Sequence, residues 1–95
     1  MADISERVSL LIFERAGCPP CRSMKPIYQK FLESYPEIEP HFFEERKHPE
    51  IFRYFGIDNV PAFVYRKENR NVLKCTGQIS EAEMFKIYEE KIKGA

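Results

Sequence analysis

The chain has no tryptophan, four glycines and three cysteines. It has no net charge either, since fifteen lysines and arginines balance fifteen aspartates and glutamates. That balance speaks against nucleic acid or an anionic membrane as the main partner, because both attract a cationic surface. No apolar run approaches the roughly 18–20 residues of a membrane span. The opening M-A-D-I-S-E-R is acidic and polar, unlike a secretory signal, so a cytoplasmic location is expected. Three cysteines in such a chain do not make a disulfide framework, and a Cys-x-x-Cys pair there reads as metal-binding or redox-active. No repeat, low-complexity tract or linker interrupts the sequence. Its 95 residues therefore read as a single domain, 1–95, and a monomer is expected. A chain of this size buries somewhat over ~60% of its unfolded surface, enough for one modest core.

What is present is a regular alternation of patterns. Val8–Phe13 (V-S-L-L-I-F) is nearly all apolar, which suits a strand covered on both faces. From Pro19 to Tyr35 the period becomes helical. Met24, Ile27, Tyr28, Phe31, Leu32 and Tyr35 fall on one side, with Arg22, Lys25, Lys30 and Glu33 on the other. Ile38–Glu44 is a second strand, and Pro40, which lacks a ladder donor, assigns it to a sheet edge. His48-Pro49 opens a short helix that Gly56 stops, with Ile51, Phe52 and Phe55 facing inward. Pro61–Tyr65 and Asn71–Thr76 form an antiparallel hairpin around R-K-E-N-R. Ser80 to Glu83 is a capping box, and Phe85, Ile87, Tyr88 and Ile92 stripe the last helix. The order β-α-β-α-β-β-α predicts a three-layer α/β/α fold around a four-stranded mixed sheet. Its first two strands should be parallel and joined right-handedly.

The stretch A-G-C-P-P-C, Ala16 to Cys21, falls where the first strand ends and the first helix begins. Cysteine reacts as the thiolate. A helix N-terminus stabilises a thiolate through free N–H groups and the positive end of its dipole. Cys18 precedes the helix and receives that field, while Cys21 lies one turn inside and should be more buried. The asymmetry assigns Cys18 as the attacking thiol and Cys21 as the resolving one. Pro19 and Pro20 fix φ in the active-site loop and remove two donors, leaving the amides of Cys21 and Arg22 near the Cys18 sulfur. Against this stands a metal-binding module, but a lone Cys-x-x-Cys supplies two of the four ligands structural zinc needs. Cys75, His41 and His48 lack paired-knuckle spacing, so no metal site is assigned. Cys75 reads as a small packing residue. Arg15, Arg22 and Lys25 ring the pair.

Cys18-Pro19-Pro20-Cys21 with Pro26 after it, F-G-I-D-N-V-P-A-F at Phe55–Phe63, and Gly77-Gln78-Ile79-Ser80 together resemble the thioredoxin superfamily. The resemblance spans residues 8–93. It implies a thiol–disulfide oxidoreductase that reduces protein disulfides by dithiol exchange, or alternatively an oxidase or isomerase of the same fold. It implies no cofactor, only an electron donor such as a reductase or small thiol. It implies a cis Val60–Pro61 bond beside Cys18, with Gly17, Val60 and Pro61 binding substrate, and an apolar docking patch around Gly17, Ile57 and Val60. The chain departs from the pattern in four places. Gly17 stands where thioredoxins often carry tryptophan. Ile12 and Phe42 stand where they often carry a buried aspartate and its lysine partner. The N-terminal strand and helix of full thioredoxins have no counterpart before Val8. Asn59 and Gly77-Gln78 do not match the glutathione-binding signature of glutaredoxins, which the chain resembles in size only. With Ile12 in place of the aspartate there is no buried base for Cys21. Glu14 and Glu44, the nearest carboxylates for a water relay, read as solvated or ion-paired.

Overall fold

The first apolar run forms β1, Val8–Glu14, and its side chains alternate between two apolar layers. The structure is a computed structural model that describes residues 7–93. Of the opening heptapeptide only Arg7 lies within the described residues. After β1 come α1 (Pro19–Ser34), β2 (Ile38–Glu44) and α2 (Pro49–Phe55). Then follow β3 (Ala62–Lys67), β4 (Arg70–Thr76) and α3 (Glu81–Ile87). The order is the expected one. The strands lie β2-β1-β3-β4, with β1 parallel to β2 and antiparallel to β3, and β4 antiparallel to β3. Pro40 sits on the edge strand, where a residue without an N–H is tolerated.

The period-two alternation of β1 divides the core. Val8, Leu10 and Ile12 point to the layer of α1 and α3, where they meet Met24, Tyr28, Phe31, Met84 and Ile87. Leu11 and Phe13 point the other way, against Phe52 and Ile57. Each fully buried side chain of this size contributes about 1.5–3 kcal/mol. Among the described residues no helix is long and apolar enough to cross a membrane.

Two boundaries differ from expectation. The hairpin strands run further, to Lys67 and from Arg70, so the turn is only Glu68-Asn69. Both residues have positive φ, the two-residue turn whose twist matches that of the strands. The last helix is not a single α-helix. Beyond Ile87 it widens into a π-helical turn, Tyr88–Ile92, closed by the Lys93 N–H on the Tyr88 carbonyl at 2.7 Å. Ile92 stays on the buried stripe with Met84, Ile87 and Tyr88, whereas Phe85 is only partly buried.

The helix ends follow local chemistry. Ser80 Oγ accepts the Glu83 N–H at 3.1 Å. Gly56 closes α2 at φ +65°, and an added Cβ would meet only Lys74 Nζ at 3.6 Å, an ordinary contact. Gly56→Ala therefore tests backbone conformation rather than crowding. It should cost about 1–2 kcal/mol and lower Tm by roughly 4–8 °C for each kcal/mol. A melt indistinguishable from the unaltered protein would remove the left-handed cap from the account.

Candidate active site

The Cys18–Cys21 segment hangs between the end of β1 and the start of α1. Gly17 makes the turn at φ +69°, a left-handed conformation that side chains rarely adopt. Cys18 then takes extended backbone and serves as N-cap of α1, with Pro19 and Pro20 in the first helical turn. Pro fits there because its fixed φ suits the helix and its N–H would be unsatisfied anyway. The two cysteines are joined as a disulfide with their Cα atoms 5.3 Å apart. Cys18 is half-buried, whereas Cys21 is 3% exposed. The Cys21 N–H donates to Cys18 Sγ at 3.2 Å. The Arg22 N–H, expected near the same sulfur, instead donates to the Cys18 carbonyl at 3.1 Å. Helix closure takes that donor, so the Cys21 amide is the backbone donor the sulfur keeps.

Gly17, Cys18 and Cys21 line one cavity of about 270 Å³ together with Glu14, Glu44 and the three expected cations. Of these cations Arg15 is engaged by Glu45. Their pairing raises the arginine pKa and lowers that of the carboxylate. Arg22 and Lys25, on the first turns of α1, are the other two. Ile12 is fully buried and lies opposite Phe42 in the β1–β2 register, so the place of an acid–lysine pair is apolar on both strands. Phe42 is 52% exposed, and its ring lies 5.8 Å from that of Tyr28. Tyr28 donates its hydroxyl to Glu14 Oε2 at 2.8 Å. Burial, and then this hydrogen bond, push the Tyr28 hydroxyl far above the ordinary phenol range. Sequence spacing does not reveal a bond fourteen residues long. The alternation Leu10, Ile12, Glu14 does put Glu14 on the face that α1 covers.

The Val60–Pro61 peptide is cis. Pro61 is fully buried, and its carbonyl accepts the Gly77 N–H at 2.7 Å, while Val60 is half-buried. Phe13 of β1 pairs with Ala62 of β3, so Pro61 lies at the end of the sheet from which the Cys18 loop departs. The expected apolar patch loses one member. Ile57 is 6% exposed because the chain leaving the Gly56 cap turns it inward against Phe52.

Among the described residues no group of three or more His, Cys, Asp and Glu is gathered to hold a metal. His41 lies 3.6 Å from Glu39, and His48 packs edge-on against Phe43. Cys75 sits on β4 opposite Phe63, half-buried. Burial, then the nearby Glu83, push its thiol pKa up. Cys75 should therefore alkylate with iodoacetamide several-fold more slowly at pH 7 than a free cysteine, since the thiolate is the reactive form. Labelling at the rate of the free amino acid would contradict this.

The family model described as Thioredoxin matches residues 2–90. The chain belongs to the thioredoxin family. It is 25% identical over 79 residues to Thioredoxin H5 of Oryza sativa subsp. japonica, covering 81% of this chain and 58% of that one. It is 34% identical over 91 residues to NADPH-dependent thioredoxin reductase 3 of Arabidopsis thaliana, covering 94% of this chain and 16% of that one. The chain spans somewhat over half the length of the first curated relatives it matches, 56% and 58%. Among solved structures, thioredoxin NaTrxh from Nicotiana alata superposes with a TM-score of 0.84 at 18% identity. That match covers 92% of this chain and 75% of that one, and it establishes the shared fold.

Proposed function

We propose that this thioredoxin-family chain acts as one domain, 1–95, and as a monomeric cytoplasmic thiol–disulfide oxidoreductase that reduces protein disulfides. The observation that carries the reading is the asymmetry of the cysteine pair. Cys18 caps a helix, is half-exposed and keeps an amide donor on its sulfur, while Cys21 is buried one turn inside. A thiolate at Cys18 is favoured by the helix field and the Cys21 amide. It attacks one sulfur of a substrate disulfide, forming a mixed disulfide and expelling the first thiolate. Cys21 then attacks Cys18 Sγ, expels the second thiolate and leaves the Cys18–Cys21 disulfide. Gly17, Val60 and Pro61 would bind the substrate chain beside the sulfur. No prosthetic group is required, only a donor that returns two electrons. A family relative named as an NADPH-dependent thioredoxin reductase supports a reductase in that role, with a small thiol as the alternative.

The direction of electron flow is tested by the reduction potential of the pair, measured in glutathione buffers with thiol trapping. A potential near roughly −270 mV is expected, where thioredoxin lies. A value of about −120 to −180 mV would replace the reductase reading with that of an oxidase or isomerase.

A further inference from the structure

We propose that Glu14 accepts the Cys21 proton in the resolving step, with Tyr28 positioning its carboxylate. The inference rests on the oxidoreductase reading above. Cys21 must lose its proton to act, because the thiolate is the nucleophile. Its burial works against that charge, so a nearby acceptor matters more here than for an exposed thiol. Ile12 and Phe42 offer none. Glu14 is the next residue of β1 on the same face as Ile12, toward α1, and it lines the cavity that Cys21 also lines. At about 270 Å³ that cavity has room for water between the two groups.

The groups facing this space distinguish Glu14 from the alternatives. Tyr28, from α1, fixes one carboxylate oxygen at 2.8 Å. The tyrosine is itself no base, since burial and the Glu14 bond hold it protonated. Glu44, from β2, points an oxygen to the Arg46 N–H at 2.9 Å and belongs to the outer strand, one strand further from β3 than Glu14. Arg22 and Lys25 of α1 and Arg15 of the loop, itself held by Glu45, are the cations on the same cavity. Glu44 is the one other carboxylate on this cavity.

In the mixed disulfide, the Cys21 S–H proton passes across the cavity to a Glu14 oxygen. Cys21 Sγ bonds to Cys18 Sγ as the bond from Cys18 to the substrate sulfur breaks. The departing substrate thiolate takes a proton from the Glu14 carboxylic acid or from solvent. The dithiol is oxidised, and the substrate disulfide is reduced to two thiols.

The test uses 5,5′-dithiobis(2-nitrobenzoate) as substrate with the reduced protein in stopped flow. The first thionitrobenzoate release reports Cys18 attack, and the second reports resolution by Cys21. In Glu14→Gln, which preserves shape and an oxygen acceptor for Tyr28, the second phase should slow by about 10²-fold near neutral pH. The gap should close as pH rises through the thiol range, near about pH 8.5–9, where solvent removes the proton unaided. Tyr28→Phe should slow the second phase several-fold with the same pH signature. A second phase with unchanged rate and profile in Glu14→Gln overturns the proposal, as does slowing by one factor at every pH, the mark of a packing role. If no mixed disulfide forms on Cys18 in the unaltered protein, the oxidoreductase reading fails and this inference fails with it.

Discussion

Cys18→Ser is expected to reduce turnover of a protein disulfide such as insulin to the background rate of dithiothreitol alone. A serine hydroxyl at the cap receives the same Cys21 amide and helix field, yet it has no thiolate to offer and forms no mixed disulfide. Cys21→Ser should behave differently. Cys18 retains its cap position and its attack, but the buried resolving sulfur is gone. The protein should then accumulate as a mixed disulfide, visible by mass spectrometry as one added substrate thiol per chain. That contrast tests the assigned roles rather than a general need for cysteine. Full activity in Cys18→Ser, or trapping of substrate on Cys21 instead of Cys18, would reverse them.

The largest expected effect on stability is at Phe31. Its ring is fully buried, and it meets Tyr35, Tyr65, Phe85 and Tyr88 at centroid distances of 5.3–6.3 Å. It joins α1 to the sheet and to the last helix at one point. Aromatic pairs at such distances add to the energy of burial itself. Phe31→Ala should cost about 3–5 kcal/mol, from lost transfer energy and the cavity left behind. Against a total of about 5–15 kcal/mol for a domain, that is a large fraction. At roughly 4–8 °C per kcal/mol the melting temperature should fall by at least about 12 °C. A denaturant titration showing a loss under about 1 kcal/mol would mean that the junction repacks freely. The Cys18–Cys21 site would feel the loss too, because α1 is capped by Cys18, carries Cys21 and is seated through this ring.

Much of the site was legible because the relevant signals are local. The Cys18-x-x-Cys21 spacing, the prolines at the first helical positions and the strand before them all lie within about a dozen residues. Each follows from a fixed geometric rule. The edge position of β2 was legible from Pro40, since a missing donor is tolerated only there. Ile57 was misread because an apolar residue after a helix cap faces either way. Its direction was set by the hydrogen bond from the Ile57 N–H to the Phe52 carbonyl at 2.9 Å, which wraps the chain back over α2.

Other features depend on groups far apart in the chain. Lys67, 4% exposed, donates to the Ile92 carbonyl at 3.1 Å, and no pattern in a strand sequence foretells a buried lysine meeting a π-turn twenty-five residues later. The Tyr28–Glu14 bond is of the same kind. The sequence by itself determined the element order and the capping cysteine, because periodicity and propensity act within a few residues, while the resemblance to the family marked Ile12 and Phe42 as the apolar replacement of the acid–lysine pair. Only the tertiary structure decided that, of the two carboxylates sharing a cavity with Cys21, Glu14 is the one held by Tyr28. That depends on how α1 packs against β1 and on the burial of one hydroxyl, and both are settled by packing against the sheet.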